Sequence, residues 1–191
     1  MLKNDINNGN NYDNLNWAGH VKRILDEIGM TNIWLSQNAE HISLKTLKQR
    51  ITDIYKQSWT SEIRNSNRLL SYSWYKNELT LERYIDTIQN NKFKIALTRF
   101  RLSSHDLMIE KGRHLNIPRN ERLCTNCNMN VIENEYHFLL VCPKYNDLRK
   151  TYFSPYFCHW PTKQKFIALM SSESVKTIIY ISKFVYYASR L

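Results

Sequence analysis

Residues Leu123–Pro143 read LCTNCNMNVIENEYHFLLVCP and hold three of the chain's four cysteines and one of its six histidines. Cys124 and Cys127 form a C-x2-C step; nine residues then separate Cys127 from His137, and four separate His137 from Cys142. A C-x2-C turn brings both sulfurs to one side of a tight backbone, and a structural zinc ion takes four N or S donors in a tetrahedron. The spacing predicts a zinc site at Cys124, Cys127, His137 and Cys142. Four protein ligands leave no open coordination position, so the predicted role is structural. The plain alternative is packing, since free cysteines and histidines beside apolar residues often just fill a core. Cys158, His159 and His114 are substitute ligands.

The last pair needs a break in the chain. Five residues on an unbroken α-helix turn through about 500°, which leaves His137 and Cys142 about 140° off a common face. Cys142 precedes Pro143, and a residue before proline is driven out of the α region. EYHFLLV can therefore be helical while Cys142 leaves its end and swings back.

Outward from this segment, the chain of 191 residues has only four Gly and four Pro, and an apolar share of 42%. That composition favours helices and a real core over a loop-rich β protein. The expected fold class is mainly α: an irregular helical bundle with a small CCHC zinc knuckle inserted between helices. The expected organisation is a disordered, Asn-rich segment over 1–13, a helical region over 14–122, the knuckle over 123–150, and C-terminal helices over 151–191 on the same core.

Individual helices follow from apolar spacing. Asn16 caps a helix with Trp17, Val21, Ile24, Leu25 and Ile28 on one face, ended by Gly29. An IWL segment follows. Ser43 caps a longer helix, running towards Tyr75 with a break near Asn65. LERYIDTI gives a short helix, with Leu81, Tyr84, Ile85 and Ile88 on one face. Lys92–Ser104 is the next, with the stripe Phe93, Ala96, Leu97 and Phe100, and helix continues to Gly112. NIPRNER is a loop. Later helices are expected over YNDLRKTYF, broken at Pro155, over KQKFIALM, and over the last segment with Val175, Ile178, Ile181, Val185 and Ala188 inward.

The net charge is +10. Half of it lies in residues 92–122, with eight basic and three acidic groups. A local positive field of this kind attracts polyanions, chiefly nucleic acid. The candidate phosphate contacts are Lys92, Lys94, Arg99, Arg101, Lys111, Arg113, Arg119 and Arg122, with Tyr136 and Tyr145 as stacking rings if exposed. No apolar run reaches membrane-spanning length and no secretory h-region follows the start, so no membrane partner is expected and an intracellular, nuclear or cytoplasmic, setting is.

The stretch ALTRFRLSSHDLMIEKGRHLNIPRNERLCTNCNMNVIENEYHFLLVCPKYNDLRKTYF resembles the C-terminal region of non-LTR (LINE-like) retrotransposon reverse transcriptases, with their zinc-binding tail. The shared pattern is an L-x-R-x-R helix (Leu97, Arg99, Arg101), then R-x-C-x-x-C (Arg122, Cys124, Cys127), then H-F-L-x-x-C-P-x-Y from His137 to Tyr145, followed by Arg149. NWAGHVKRIL and LKQRITDIYKQSW are similar to the segment that precedes it, so the resemblance runs from about residue 14 to the end. It implies a CCHC zinc site at Cys124, Cys127, His137 and Cys142. It also implies a nucleic-acid partner, element RNA or target DNA, and the polymerase portion of the same element as a further one. It implies no activity: a polymerase needs paired aspartates for two metal ions, and the sequence contains no Asp-Asp pair. The expected function is a non-catalytic nucleic-acid-binding tail. The alternative is a zinc-stapled protein–protein interaction module. A hydrolase built on His105–Asp106 or His114 ranks last, having only adjacency behind it.

Overall fold

A computed structural model describes residues 16–38 and 43–191; the expectation for residues 1–13 lies outside them. The chain divides into two compact units, 1–59 and 60–191. The basic helix, the Cys/His segment and the C-terminal helices all belong to the second. The fold is mainly α, and among the described residues the only β pairing is an isolated antiparallel bridge between Leu123 and Ile132.

The first unit opens with α1 (Trp17–Glu27). The Asn16 side chain accepts from the Gly19 N–H at 2.9 Å, as expected for a cap. Gly29 at φ +69° closes the helix. The Gly29 N–H donates to Asp26 O and the Met30 N–H to Leu25 O, the paired bonds of a left-handed helix end. The IWL segment lies in a short helix, α2 (Thr31–Ser36). Trp17, expected on the packed face of α1, is exposed at its first position.

Helix α3 (Leu44–Asn65) ends at the anticipated break, and Ser43 accepts from the Thr46 N–H at 3.1 Å. In the second unit follow α4 (Leu70–Ser73), α5 (Arg83–Thr87), α6 (Asn91–Arg101) and α7 (Met108–His114). Helix α6 stops three residues earlier than the periodicity suggests, and Ser103 at φ +49° turns the chain before α7 begins. Gly112 does not end α7; it is buried inside it. A Cβ there would stand 2.5 Å from Arg122 Cγ, so glycine leaves the space that the Arg122 side chain occupies. After the Cys/His segment come α8 (Asn146–Tyr152), α9 (Pro155–Cys158), α10 (Lys163–Met170) and α11 (Val175–Ala188).

Helix α11 is the axis of this unit, with α5, α6 and α8 against it. Its Ile178, Ile181, Phe184, Val185 and Ala188 are buried, while Val175 at its start is exposed. Leu97 and Phe100 of α6 pack inward with them. Phe138 joins the same core: its ring lies 5.5 Å from Phe100, 5.7 Å from Phe184 and 4.8 Å from Tyr145. Burying one such ring contributes on the order of 1.5–3 kcal/mol. The residue next to His137 is therefore fixed by core packing. No helix among the described residues is long and apolar enough to cross a membrane.

Candidate metal centre and basic groove

The four predicted ligands come together. Their donor atoms all lie within 4.8 Å of one another, and the group includes none of Cys158, His159 and His114. Cys124 Sγ is 3.9 Å from Cys142 Sγ, and Cys127 Sγ is 3.4 Å from His137 Nε2. Cys124, His137 and Cys142 are buried and Cys127 is half-buried. The cluster is compatible with a bound metal ion.

Two local structures build it. The first is a tight loop held by the Leu123–Ile132 bridge: the Cys124 N–H donates to Val131 O at 2.8 Å, and the Glu133 N–H to Arg122 O at 2.9 Å. This closes the C-x2-C turn at the head of a short hairpin. The second is a π-helical turn over His137–Val141. The Cys142 N–H donates to His137 O at 2.7 Å, a bond across five residues. Cys142 itself sits at φ −55°, ψ 121°, outside the helix, as Pro143 requires. The expected departure at Cys142 is present, and the widened turn before it supplies the return that an α-helix does not.

Surrounding groups fix the ligands in place. The Asn134 side chain accepts from the His137 N–H at 2.8 Å. The buried Glu133 carboxylate accepts from Asn126 Nδ2 at 2.8 Å, from the Met108 N–H at 2.7 Å and from the Cys124 thiol at 3.4 Å. Arg149 is buried, and its guanidinium donates to the carbonyls of Phe138 and Cys142 and to Asn146 Oδ1. The Phe138 carbonyl faces Pro143, which has no N–H to offer, while the Cys142 carbonyl also accepts from the Tyr145 N–H at 3.2 Å. Burial pushes the Cys124 thiol well above the ordinary thiol range and raises that of Cys142; backbone N–H groups of Asn126 and Lys144 pull in the opposite direction. Burial also lowers the His137 imidazole.

The eight basic candidates separate into two sets. Arg101 is buried: it donates to Met170 O at 2.8 Å and to Glu82 Oε2 at 2.9 Å, and it lies 4.6 Å from the Tyr75 ring centre. Arg122 donates to Ile109 O and Ile117 O, both at 2.9 Å, and Arg113 pairs with Glu110 at 2.9 Å. These three guanidinia hold the fold, which narrows the set free for phosphate to Lys92, Lys94, Arg99, Lys111 and Arg119. Among the described residues, none of those five side chains has a hydrogen-bond or ion-pair partner. Tyr145 is buried and Tyr136 donates to Pro161 O, so neither is an open stacking ring. His105, half of the adjacent pair, turns its Nε2 to the buried Glu135 at 3.0 Å.

Lys92, Arg99 and Lys111 line one groove of about 550 Å³, together with Lys144 and Arg190. Among the described residues, the acidic side chains that line it are Asp106 and Glu133. Lys144 and Arg190 were not among the sequence candidates. Lys144 stands two residues past a ligand and had a local signal; Arg190 reaches the groove only through the packing of α11. Comparison with family models, with curated proteins and with solved structures finds no match.

Proposed function

We propose that the chain is a nucleic-acid-binding module whose Cys124–Cys127–His137–Cys142 cluster holds a structural zinc ion. The observation that carries the binding reading is the groove, where Lys92, Arg99 and Lys111 stand without partners beside that cluster. Lysine and arginine with no internal carboxylate are available to displace counterions from a phosphate backbone. The sequence resemblance to a retrotransposon reverse-transcriptase tail points the same way, with element RNA or target DNA as the polymer.

The zinc reading rests on donor chemistry and spacing. With Zn–S of about 2.3 Å and Zn–N of about 2.0–2.1 Å, a tetrahedron has a sulfur–sulfur edge of about 3.8 Å and a sulfur–nitrogen edge of about 3.6 Å. The Cys124–Cys142 and Cys127–His137 separations are 3.9 Å and 3.4 Å. A bound divalent cation also removes the cost of ionising buried thiols, because a coordinated thiol deprotonates. Zinc bound in this way clips the hairpin to the π turn, whose next residue, Phe138, lies in the core. The reading assigns no catalysis.

Binding of a labelled single strand to the purified chain at two salt concentrations tests this function. Affinity falls with salt, with a logarithmic slope of roughly 0.7 per phosphate contacted. A flat response, or no binding at low salt, contradicts it and favours a protein-adaptor role.

A further inference from the structure

The groove has more than a charged rim. Ile95 and Ala96 of α6 and Met108 of α7 give its wall apolar surface, with the largely covered Phe138, Tyr145 and Val185 also lining it. Glu133 is buried and already accepts from the Met108 N–H and Asn126 Nδ2. Asp106 lines the same space, is exposed, and makes no hydrogen bond or ion pair. A cavity of about 550 Å³ falls within the roughly 300–1,000 Å³ of pockets that enclose small ligands. Unpaired cations, an apolar stretch of wall and one exposed carboxylate match three parts of a single ligand class. These are a phosphate, an aromatic ring, and an N–H donor on the ring's edge.

We infer that the groove receives one unpaired nucleotide. Its phosphate meets Lys92, Arg99 and Lys111, its base lies against the apolar wall of Ile95, Ala96 and Met108, and an exocyclic amino group donates to Asp106. This rests on the nucleic-acid reading above and narrows it. A duplex keeps its bases stacked inside and meets only the rim, whereas an extruded or single-stranded base enters. A carboxylate accepts from the cytosine amino group and has no such donor on thymine.

Fluorescence anisotropy with the full chain separates the outcomes, using oligo-dC, oligo-dT, a matched duplex and cytidine monophosphate as competitor. Oligo-dC is expected to bind about ten-fold tighter than the duplex, the scale of one stacked base, and tighter than oligo-dT. Competition by the monophosphate identifies a free nucleotide as sufficient; failure to compete identifies the strand as the ligand. Ala96→Trp fills the groove without changing charge and is expected to weaken strand binding about ten-fold while sparing the duplex. Asp106→Asn, at an exposed position, is expected to abolish the dC over dT preference, and it carries the test if the tryptophan variant fails to fold. Equal binding of strand and duplex, unchanged by either variant, overturns the groove assignment alone. Absence of binding to every polyanion overturns the nucleic-acid reading beneath it.

Discussion

The backbone N–H of Cys142 donates to the carbonyl oxygen of His137, five residues earlier, at 2.7 Å. That bond defines a π-helical turn and brings the two side chains back to one side of the chain. Such turns are rare and concentrate where function needs them. Here the widened turn solves the problem set by the x4 gap between His137 and Cys142, and Pro143 fixes the extended backbone of Cys142.

Replacing Pro143, which is exposed, removes that restriction with little loss of packing. Pro143→Ala lets Cys142 relax towards regular helix, where the two ligands diverge. The expected result is a folded chain whose zinc affinity falls about ten-fold, the lower range for disturbing a metal ligand's support. Chelator competition measures it; an unchanged affinity would show that the turn holds Cys142 without the proline.

Arg149 is the second support. Arg149→Met leaves the buried Phe138 carbonyl without its donor and the Cys142 carbonyl with the Tyr145 N–H alone, at a cost of about 1–3 kcal/mol for the unsatisfied group. Arg149→Lys is expected to rescue little, because a single ammonium does not reproduce the fork that reaches Phe138, Cys142 and Asn146. Denaturant unfolding of both variants provides the check.

Arg99 and Arg101 stand two residues apart on α6 and are expected to respond in opposite ways. Arg101→Gln breaks a buried pair with Glu82 and is expected to destabilise by about 3–5 kcal/mol. Arg99→Gln is expected to leave stability within about 0.5 kcal/mol while reducing the salt slope of strand binding by about 0.7. Thermal unfolding and a salt titration on each variant separate the roles. Equal effects on stability would contradict the assignment.

Tyr72, Tyr75 and Tyr84 surround Arg101, with ring centres 4.6–5.9 Å from its guanidinium carbon. Burial raises the hydroxyl of each above the ordinary tyrosine range, and at Tyr72 the hydrogen bond to Glu82 adds to it. A folded pKa above the unfolded one means the stabilisation is whole below about pH 10 and is lost as pH rises further. The tyrosinate of these three rings is therefore expected to appear together with alkaline loss of helix. Smooth titration of all rings with the helices intact would contradict the cage.

The sequence carried the helices where periodicity and caps agree. Asn16 and Ser43 cap as their residue types predict, and the inward face of α11 from Ile178 to Ala188 follows its spacing. That these four side chains gather was legible for a chemical reason: C-x2-C followed by His and Cys is a donor pattern independent of the fold. The π turn was not legible, because no residue type marks it; only the mismatch of a five-residue gap with helical rotation pointed to a break. Arg101 was indistinguishable from Arg99 in sequence. Its burial depends on Glu82 and the Met170 carbonyl, one 19 and the other 69 positions away. Gly112 read as a helix end because glycine commonly is one, whereas here it makes room for Arg122 from the next loop. Trp17 shows the converse: an apolar residue at a helix start need not be covered.

The most direct measurement is the zinc content of the chain purified under reducing conditions, read by elemental mass spectrometry beside helicity with and without chelator. The account predicts one zinc per chain, its loss in Cys124→Ser and Cys142→Ser, and unfolding of the 60–191 unit when it is stripped. A metal-free chain that stays fully helical, with all four thiols reduced, would contradict it.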